Sequence, residues 1–142
     1  MCDYKDDMDL KNCSAEHLAS EAVKILVEKK AIGVKMFNVE GKTSVTDYYV
    51  NATGRSSTQV AALSDDVSEL LGKKGRDPQR IEGRSGNSWI LVDYGDVIVN
   101  IFDKESRDFY NFDRHLPEGS EVDISMLVEE VNRKFEIKKT EE

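Results

Sequence analysis

The strongest constraint on the fold is a pair of short apolar segments, residues 89–93 and 96–102, on either side of Tyr94-Gly95. Both segments are rich in β-branched and aromatic residues, and two such segments around a tight turn predict a β-hairpin. Because side chains alternate between the faces of a strand, one face of this hairpin is entirely β-branched. That face comprises Ile90, Val92, Val97, Val99 and Ile101. We expect it to pack under helices as part of the core.

The opposite face of the hairpin is apolar as well. It carries Trp89, Leu91, Ile98 and Phe102, with Asn100 between them. Strands with two apolar faces are either covered on both sides or leave one side open as an interaction surface. Burial under the protein's own helices is the simpler explanation of the pattern taken alone, and an open face is the alternative.

The turn of the hairpin has two alternative lengths. A two-residue loop of Tyr94 and Gly95 pairs Val92 with Val97 and sets Asp93 opposite Asp96. Like charges across a ladder are destabilising, so a four-residue loop from Asp93 to Asp96 is the alternative. Either loop crowds two carboxylates and a tyrosine at one tip. Such a cluster predicts that the tip binds lysine or arginine from a partner. The aspartates could equally serve only to shape the turn.

Apolar periodicity and capping residues predict the remaining elements. Ser14, and Ser56 with Gln59 three residues later, are typical helix N-caps. The predicted elements are a helix at 15–29, strands at 34–39 and 45–53, a helix from Ser56 to about 72–75, an edge strand at 78–82, the hairpin, a helical turn at 105–114 and an amphipathic helix at 123–135. This order predicts an α/β (α+β) protein with a mixed β-sheet of about five strands flanked by helices.

The length of 142 residues predicts one domain, and its charge is uneven along the chain. The formal net charge is −8, and the first nine residues contain four aspartates and one lysine. We therefore expect a disordered acidic tail at 1–12, a folded domain at 13–124, and a C-terminal amphipathic helix with a charged tail at 125–142. An acidic body disfavours sequence-specific nucleic-acid binding and favours a basic protein partner.

Cysteine content and apolar run length indicate a cytoplasmic protein. The longest apolar runs are four residues, so we expect no membrane contact. The two cysteines, Cys2 and Cys13, lie near one end and are typical of a reducing compartment. Cys13 and His17 could share a helical face, but two ligands do not complete a zinc site. We expect neither a metal nor a cofactor.

The best enzyme-like feature is the corner Gly54-Arg55-Ser56-Ser57 at a predicted helix start. Backbone N–H groups at such a corner can bind phosphate, and nucleotidyltransferases place a similar corner beside metal-binding carboxylates. Those carboxylates are missing here. Helix capping explains Ser56 and Gln59 without any ligand.

A set of short motifs in a fixed order resembles the Iojap family, the ribosomal silencing factors (RsfS). The motifs lie between about residues 15 and 124, and none is diagnostic alone. They are Ser44-x-Thr46-Asp47-Tyr48, Thr53-Gly54-x-Ser56-Ser57-x-Gln59, Arg80-x-Glu82-Gly83, Trp89, Asp93-Tyr94-Gly95-Asp96-Val97-x-Val99 with Phe102, and Arg107-x-Phe109-Tyr110-Asn111. The resemblance implies a nucleotidyltransferase-like core without catalytic carboxylates.

The resemblance also implies a function, which is binding and not catalysis. A family member docks on protein number fourteen of the large ribosomal subunit, sterically blocks joining of the small subunit, and so represses translation under nutrient limitation or in stationary phase. The second hairpin face and the tip then become the partner-binding candidates, and the open-face alternative is favoured. These candidates are Trp89, Leu91, Asp93, Tyr94, Asp96, Ile98, Asn100 and Phe102, while Gly54, Ser56 and Gln59 form a structural corner. A homodimer of the free protein is a further expectation.

Three residues depart from the family pattern. Asn51 stands where an aliphatic residue is expected, Asn100 where histidine is frequent, and Leu116 where tryptophan is frequent. Two other functions remain as alternatives: a nucleotidyltransferase-like, nucleotide-binding enzyme acting at the Gly54 corner, and an adaptor acting through the terminal helix.

Overall fold

A computed structural model describes residues 10–141, with side chains through residue 134. The elements are α1 (Ala15–Glu28), β1 (Ile32–Asn38), β2 (Tyr48–Gly54), α2 (Ser57–Lys73), β3 (Arg80–Glu82), β4 (Trp89–Asp93), β5 (Val97–Asp103), α3 (Lys104–Tyr110), a 3₁₀ helix (Phe112–His115), β6 (Glu121–Val122) and α4 (Ser125–Glu141). None of the described helices is long and apolar enough to cross a bilayer.

The strands form one mixed sheet in the order β3-β4-β5-β2-β1-β6. Only the pairing of β2 with β5 is parallel, and the other four pairings are antiparallel. The predicted α/β fold is confirmed, with six strands instead of about five. The missed strand, β6, pairs with Met36 and Phe37 of β1. Two residues are too short to show any alternation in the sequence.

Helices α1 and α2 cover one face of the sheet, as the patterns predict. Ser14 caps α1 by accepting a hydrogen bond from the N–H of His17, and Ser56 caps α2 in the same way from Gln59. The main core lies between these helices and the sheet. It includes the β-branched hairpin face and the alternating residues Tyr48, Val50 and Ala52 of β2.

The hairpin turn differs from both predicted forms by two positions in register. Val92 pairs with Val99, and Asp93 pairs with Ile98 instead of Asp96. The N–H of Tyr94 bonds to the carbonyl of Val97, and Gly95 has a φ of +90°. Glycine with positive φ at the first central position is the signature of a two-residue type II′ turn. A shift of two preserves the assignment of residues to faces, and it separates the two carboxylates.

The packed chain extends further at its N-terminal end than predicted. Leu10, placed by the sequence in the acidic tail, is fully buried in the main core, and its N–H bonds to the carbonyl of Lys74. Burial of an apolar side chain in the core releases enough free energy to order the chain next to an acidic segment. The first nine residues of the predicted tail lie outside the described residues.

The last two predicted helical segments also change their bounds. The turn expected at 105–114 divides into α3 and the 3₁₀ helix, because Asn111 adopts a left-handed conformation (φ +48°) that ends α3. The terminal helix begins at Ser125 and continues to Glu141. Val131 of α4 is buried, while the predicted apolar contact of Phe135 lies outside the described side chains.

A cluster of charged side chains ties α4 and the end of α2 to α1. The carboxylate of Glu21 is 95% buried and lies 2.7 Å from Lys74 Nζ and 2.9 Å from Lys24 Nζ, which also reaches Glu130 of α4 at 2.9 Å. Burial alone would raise the pKa of Glu21, but the hydrogen bonds from Lys74 and Lys24 outweigh it and hold that pKa below its ordinary value. Glu21 is therefore stabilised as a carboxylate in the folded state.

We expect Glu21→Gln to lower the stability of the protein in a pH-dependent way. A carboxylate whose pKa is lower folded than unfolded adds stability above its unfolded pKa, roughly pH 4, and that contribution is lost as the pH falls through the folded pKa. Urea unfolding of both proteins between pH 7 and pH 3 should show a gap that closes in acid. Exposed Glu129→Gln serves as the control, and a gap that stays constant across this range contradicts the assignment.

Candidate docking surface

Within the described part of the chain, residues 104–116 cover the sheet face opposite α1 and α2, here called the aromatic face. After β5, Asp103 caps α3 by accepting from the N–H of Ser106 at 2.7 Å, which turns the chain back over the sheet. The Phe112 ring then packs edge-on against Tyr49 of β2, with centroids 5.1 Å apart. Leu116 and Phe112 join a small second core with Phe37, Tyr49 and Ile98. This covering segment thus protects the β1, β2 and β5 part of the aromatic face.

The predicted contact residues on β5 are buried by this cover. Ile98, Asn100 and Phe102 are 4%, 1% and 0% exposed. The expectation that they contact a partner directly is therefore wrong for the chain in this conformation. The physical reason is that the covering segment and Trp89 lie over them and exclude any other molecule.

Tyr94 is also inaccessible, for a different reason. It continues the alternation of Ile90 and Val92, so its ring turns to the helix side and is 2% exposed within the main core. Burial raises the pKa of its hydroxyl well above the ordinary value. Tyr94 therefore supports the turn from inside and is not a rim residue.

The predicted contact residues on β4 remain partly accessible. Trp89, Leu91 and Asp93 are half-buried along the side of the sheet that the covering segment leaves open. The Trp89 ring lies 4.9 Å from Phe102 and 5.0 Å from Tyr110, and its Nε1 donates to Asn100 Oδ1 at 3.0 Å. The indole is thus held by packing and by one hydrogen bond, while Trp89 as a whole stays partly exposed.

Two further aromatic side chains extend this open region. Phe109 is 78% exposed and Tyr110 47% exposed, with their ring centroids 5.0 Å apart. We call Trp89, Phe109 and Tyr110 the aromatic ridge. Beside it is a cleft of about 390 Å³. The cleft is lined by Ser88, Asp103, Glu105, Ser106, Phe109 and Tyr110.

The sequence assigned no contact role to Phe109 and Tyr110, although both lie in a motif that carried the family resemblance. The available signal was their adjacency. Successive side chains of a helix point in directions about 100° apart, so burying two adjacent aromatic rings on a helix of seven residues requires a wide cover. The adjacency of Phe109 and Tyr110 therefore favours exposure of at least one ring.

The two carboxylates at the hairpin tip are already paired within the chain. Asp93 accepts hydrogen bonds from Arg80 Nε at 3.0 Å and from the N–H of Gly95 at 2.7 Å. Asp96 accepts from Arg76 Nη2 at 2.8 Å. The tip is therefore not the uncompensated acidic rim that the sequence suggested, because a partner's cation would compete with two arginines.

The Gly54 corner is occupied by the chain's own groups. Ser56 Oγ accepts from the N–H of Gln59, whose Oε1 accepts from the N–H of Arg55. A Cβ on Gly54 would lie 2.9 Å from Val60 Cγ2, so glycine is required for the close approach of α2 to β2. Gly54, Ser56 and Gln59 thus act together as a structural corner. Among residues 10–141, no three histidine, cysteine, aspartate or glutamate side chains form a group that could hold a metal ion.

Comparisons with a family model, with known sequences and with solved structures agree with one another. A family model described as "Ribosomal silencing factor during starvation" (RsfS) matches residues 12–142, which include α4 beyond the motif region. The chain is 29% identical over 115 residues to the ribosomal silencing factor RsfS of Halalkalibacterium halodurans, covering 81% of this chain and 98% of that one. The RsfS of Zymomonas mobilis is 36% identical over 98 residues, covering 69% and 74%. A crystal structure of a Chromobacterium violaceum protein matches with a TM-score of 0.69 and 30% identity, covering 71% and 84%.

We expect Trp89→Phe to destabilise the protein by about 1–3 kcal/mol, measured by denaturant unfolding. Phenylalanine preserves most of the ring packing but removes the indole N–H, which leaves the buried Asn100 Oδ1 without its donor. The control is Phe109→Ala, which at an exposed site should change the free energy of unfolding by no more than about 0.5 kcal/mol. Equal stability of Trp89→Phe and wild type would show that the indole hydrogen bond contributes nothing.

Proposed function

This chain belongs to the ribosomal silencing factor family, and on that premise we propose that it binds protein number fourteen of the large ribosomal subunit and blocks joining of the small subunit. It acts as a binding protein and represses translation by occupying an interface. The aromatic ridge is its docking surface.

The exposed aromatic ridge is the observation that carries this proposal. The Tyr110 ring contacts both Trp89 and Phe109, with centroids 5.0 Å apart in each pair, so the three rings form one partly accessible apolar surface. Tryptophan and tyrosine are the residues that most often dominate binding energy at protein interfaces. Among residues 10–134, the other exposed large apolar residues lie in three different elements or loops, at Ile32, Val45 and Met126.

The charges beside the ridge favour a basic partner. The cleft next to Phe109 contains the carboxylates of Asp103 and Glu105, and the whole chain has a net charge of −8. Opposite charges across an interface increase the rate of association and select among partners. A basic ribosomal surface protein fits this chemistry, whereas the negative phosphate backbone of bare RNA does not.

The set of direct contact residues is revised by burial. Trp89 and Leu91 stay in the proposed interface, and Phe109 and Tyr110 are added to it. Asp93 and Asp96 are assigned to its margin, because each is already paired with an arginine. The buried Tyr94, Ile98, Asn100 and Phe102 support the surface from below.

The proposed mechanism is steric exclusion and needs no chemical step. An interface of standard size, about 1,600 Å² in total, is enough for specific binding by a domain of this size. Because the bound factor and the small subunit compete for the same large subunits, the extent of silencing follows concentration and affinity. The expected result is a lower fraction of joined ribosomes as the protein's concentration rises.

We expect Phe109→Ala to weaken binding to purified large subunits by about tenfold or more in co-sedimentation, because truncating an anchor removes its buried contact area. Its stability should stay near that of wild type. The matched control is Met126→Ala, since Met126 is 82% exposed on α4, away from the ridge. If Met126→Ala weakens binding and Phe109→Ala does not, the terminal helix is the docking element and the ridge is not.

Charge reversal beside the ridge should slow association. Glu105→Lys places a like charge against a basic partner, so the association rate should fall and its dependence on salt should become shallower. Glu129→Lys on α4 makes the same change in net charge on the helix side. Equal effects of the two variants would show that only overall charge matters.

A further inference from the structure

A chain of polar side chains runs beneath the aromatic ridge, through an otherwise apolar layer. Trp89 Nε1 donates to Asn100 Oδ1 at 3.0 Å, and Asn100 Nδ2 donates to Asn51 Oδ1 at 3.1 Å. Asn51 Nδ2 then donates to Asp113 Oδ1 at 2.7 Å. Asn51 and Asn100 are paired neighbours on the parallel strands β2 and β5. The exposed ridge is thereby linked to the 3₁₀ helix in three hydrogen bonds.

The direction of every bond in this chain is set by its two ends. An indole N–H can only donate, and an ionised carboxylate can only accept. Asn100 must therefore turn its oxygen to Trp89 and its NH₂ to Asn51, and Asn51 must do the same toward Asp113. If either amide were reversed, two oxygens or two NH₂ groups would face each other.

The far end of the chain is held rigidly by Arg107. Its guanidinium donates to Asp113 Oδ2 at 2.7 Å, to Thr53 Oγ1 at 2.9 Å and to the carbonyl of Gly33 at 3.1 Å. It also lies 5.8 Å from the centre of the Phe102 ring. Through Arg107, Asp113 is therefore held against β1, β2 and the Phe102 ring of β5.

We infer that Asn51 and Asn100 are positioning residues, which fix the orientation of the Trp89 indole and couple it to Asp113. The side chains of both asparagines are almost fully buried, and burying amides costs free energy that a pair of apolar residues at the same sites would avoid. The two asparagines face each other on paired strands and are hydrogen-bonded to each other. A ring turned by this chain presents a defined edge to the partner. The effect on binding rests on the proposed function, whereas the effect on the indole does not.

The spectroscopic test uses the fact that Trp89 is the only tryptophan in the chain. A ¹⁵N–¹H spectrum of the full-length protein therefore contains one indole resonance, and its exchange rate with water reports the Trp89 hydrogen bond. We expect Asn51→Leu, which has similar volume and no polar atoms, to shift this resonance and to accelerate its exchange, although residue 51 does not bond to Trp89. The control is Asn132→Leu on the exposed side of α4.

An indole resonance and exchange rate unchanged in folded Asn51→Leu would overturn the inference. If that variant does not fold, Asp113→Ala at the half-buried end of the chain is measured with the same expectations. Its control is Leu116→Ala, which disturbs the second core but leaves the hydrogen-bond chain intact, so that the indole exchange rate should not change.

The binding test is a double-mutant cycle on the affinity for large subunits. Asn51→Leu should weaken binding at least twofold in the wild-type background. It should have no further effect in the Trp89→Phe background, where the hydrogen-bond chain has lost its indole donor. Independent effects in the two backgrounds would show that Asn51 does not act through Trp89. If the wild-type protein does not bind large subunits at all, the proposed function fails, and the indole measurement alone decides the role of the asparagines.

Discussion

The β4–β5 hairpin is apolar on both faces, and the rest of the structure depends on how the chain covers it. Helices α1 and α2 bury the β-branched face completely. Among the described residues, 104–116 cover the other face, and a segment this short covers β5 fully but β4 only in part. Phe102, under the segment, is fully buried, whereas Trp89 beside it on β4 stays partly exposed. The proposed docking surface is therefore what remains when a sheet with two apolar faces has one full cover and one partial cover.

Hydrogen bonds between polar side chains fix the geometry of the aromatic ridge. Arg107 holds Asp113 against the sheet, and Asn51 and Asn100 connect Asp113 to the indole of Trp89. At the hairpin tip, arginines of the same chain neutralise the aspartates. These ion pairs stabilise the turn and leave little negative charge to attract a partner's cation. Recognition of a basic partner consequently depends on carboxylates of the covering segment, such as Glu105, next to exposed rings that can be buried on contact.

The sequence was informative wherever a repeating pattern met a strong local signal. Ser14 and Ser56 marked helix starts, and alternation assigned hairpin residues to the correct faces. It failed where the decisive feature was the exact conformation of a turn or an interaction between residues distant in the sequence. The register depended on a positive φ at Gly95, the burial of Asn100 on a segment that folds back from residues 104–116, and the burial of Leu10 on a carbonyl more than sixty positions away. Asn51 and Asn100 looked like separate departures from the family pattern, because nothing in a linear sequence shows that they face each other across parallel strands.

The most direct test of the account is amide hydrogen exchange of the protein, free and bound to purified large ribosomal subunits. Binding should slow exchange in residues 88–93 and 104–112, while α4 and the exposed side of α1 exchange as in the free protein. Protection confined to α4, or a complex that protects neither β4 nor the covering segment, would contradict the claim that the partly covered side of the sheet is the docking surface.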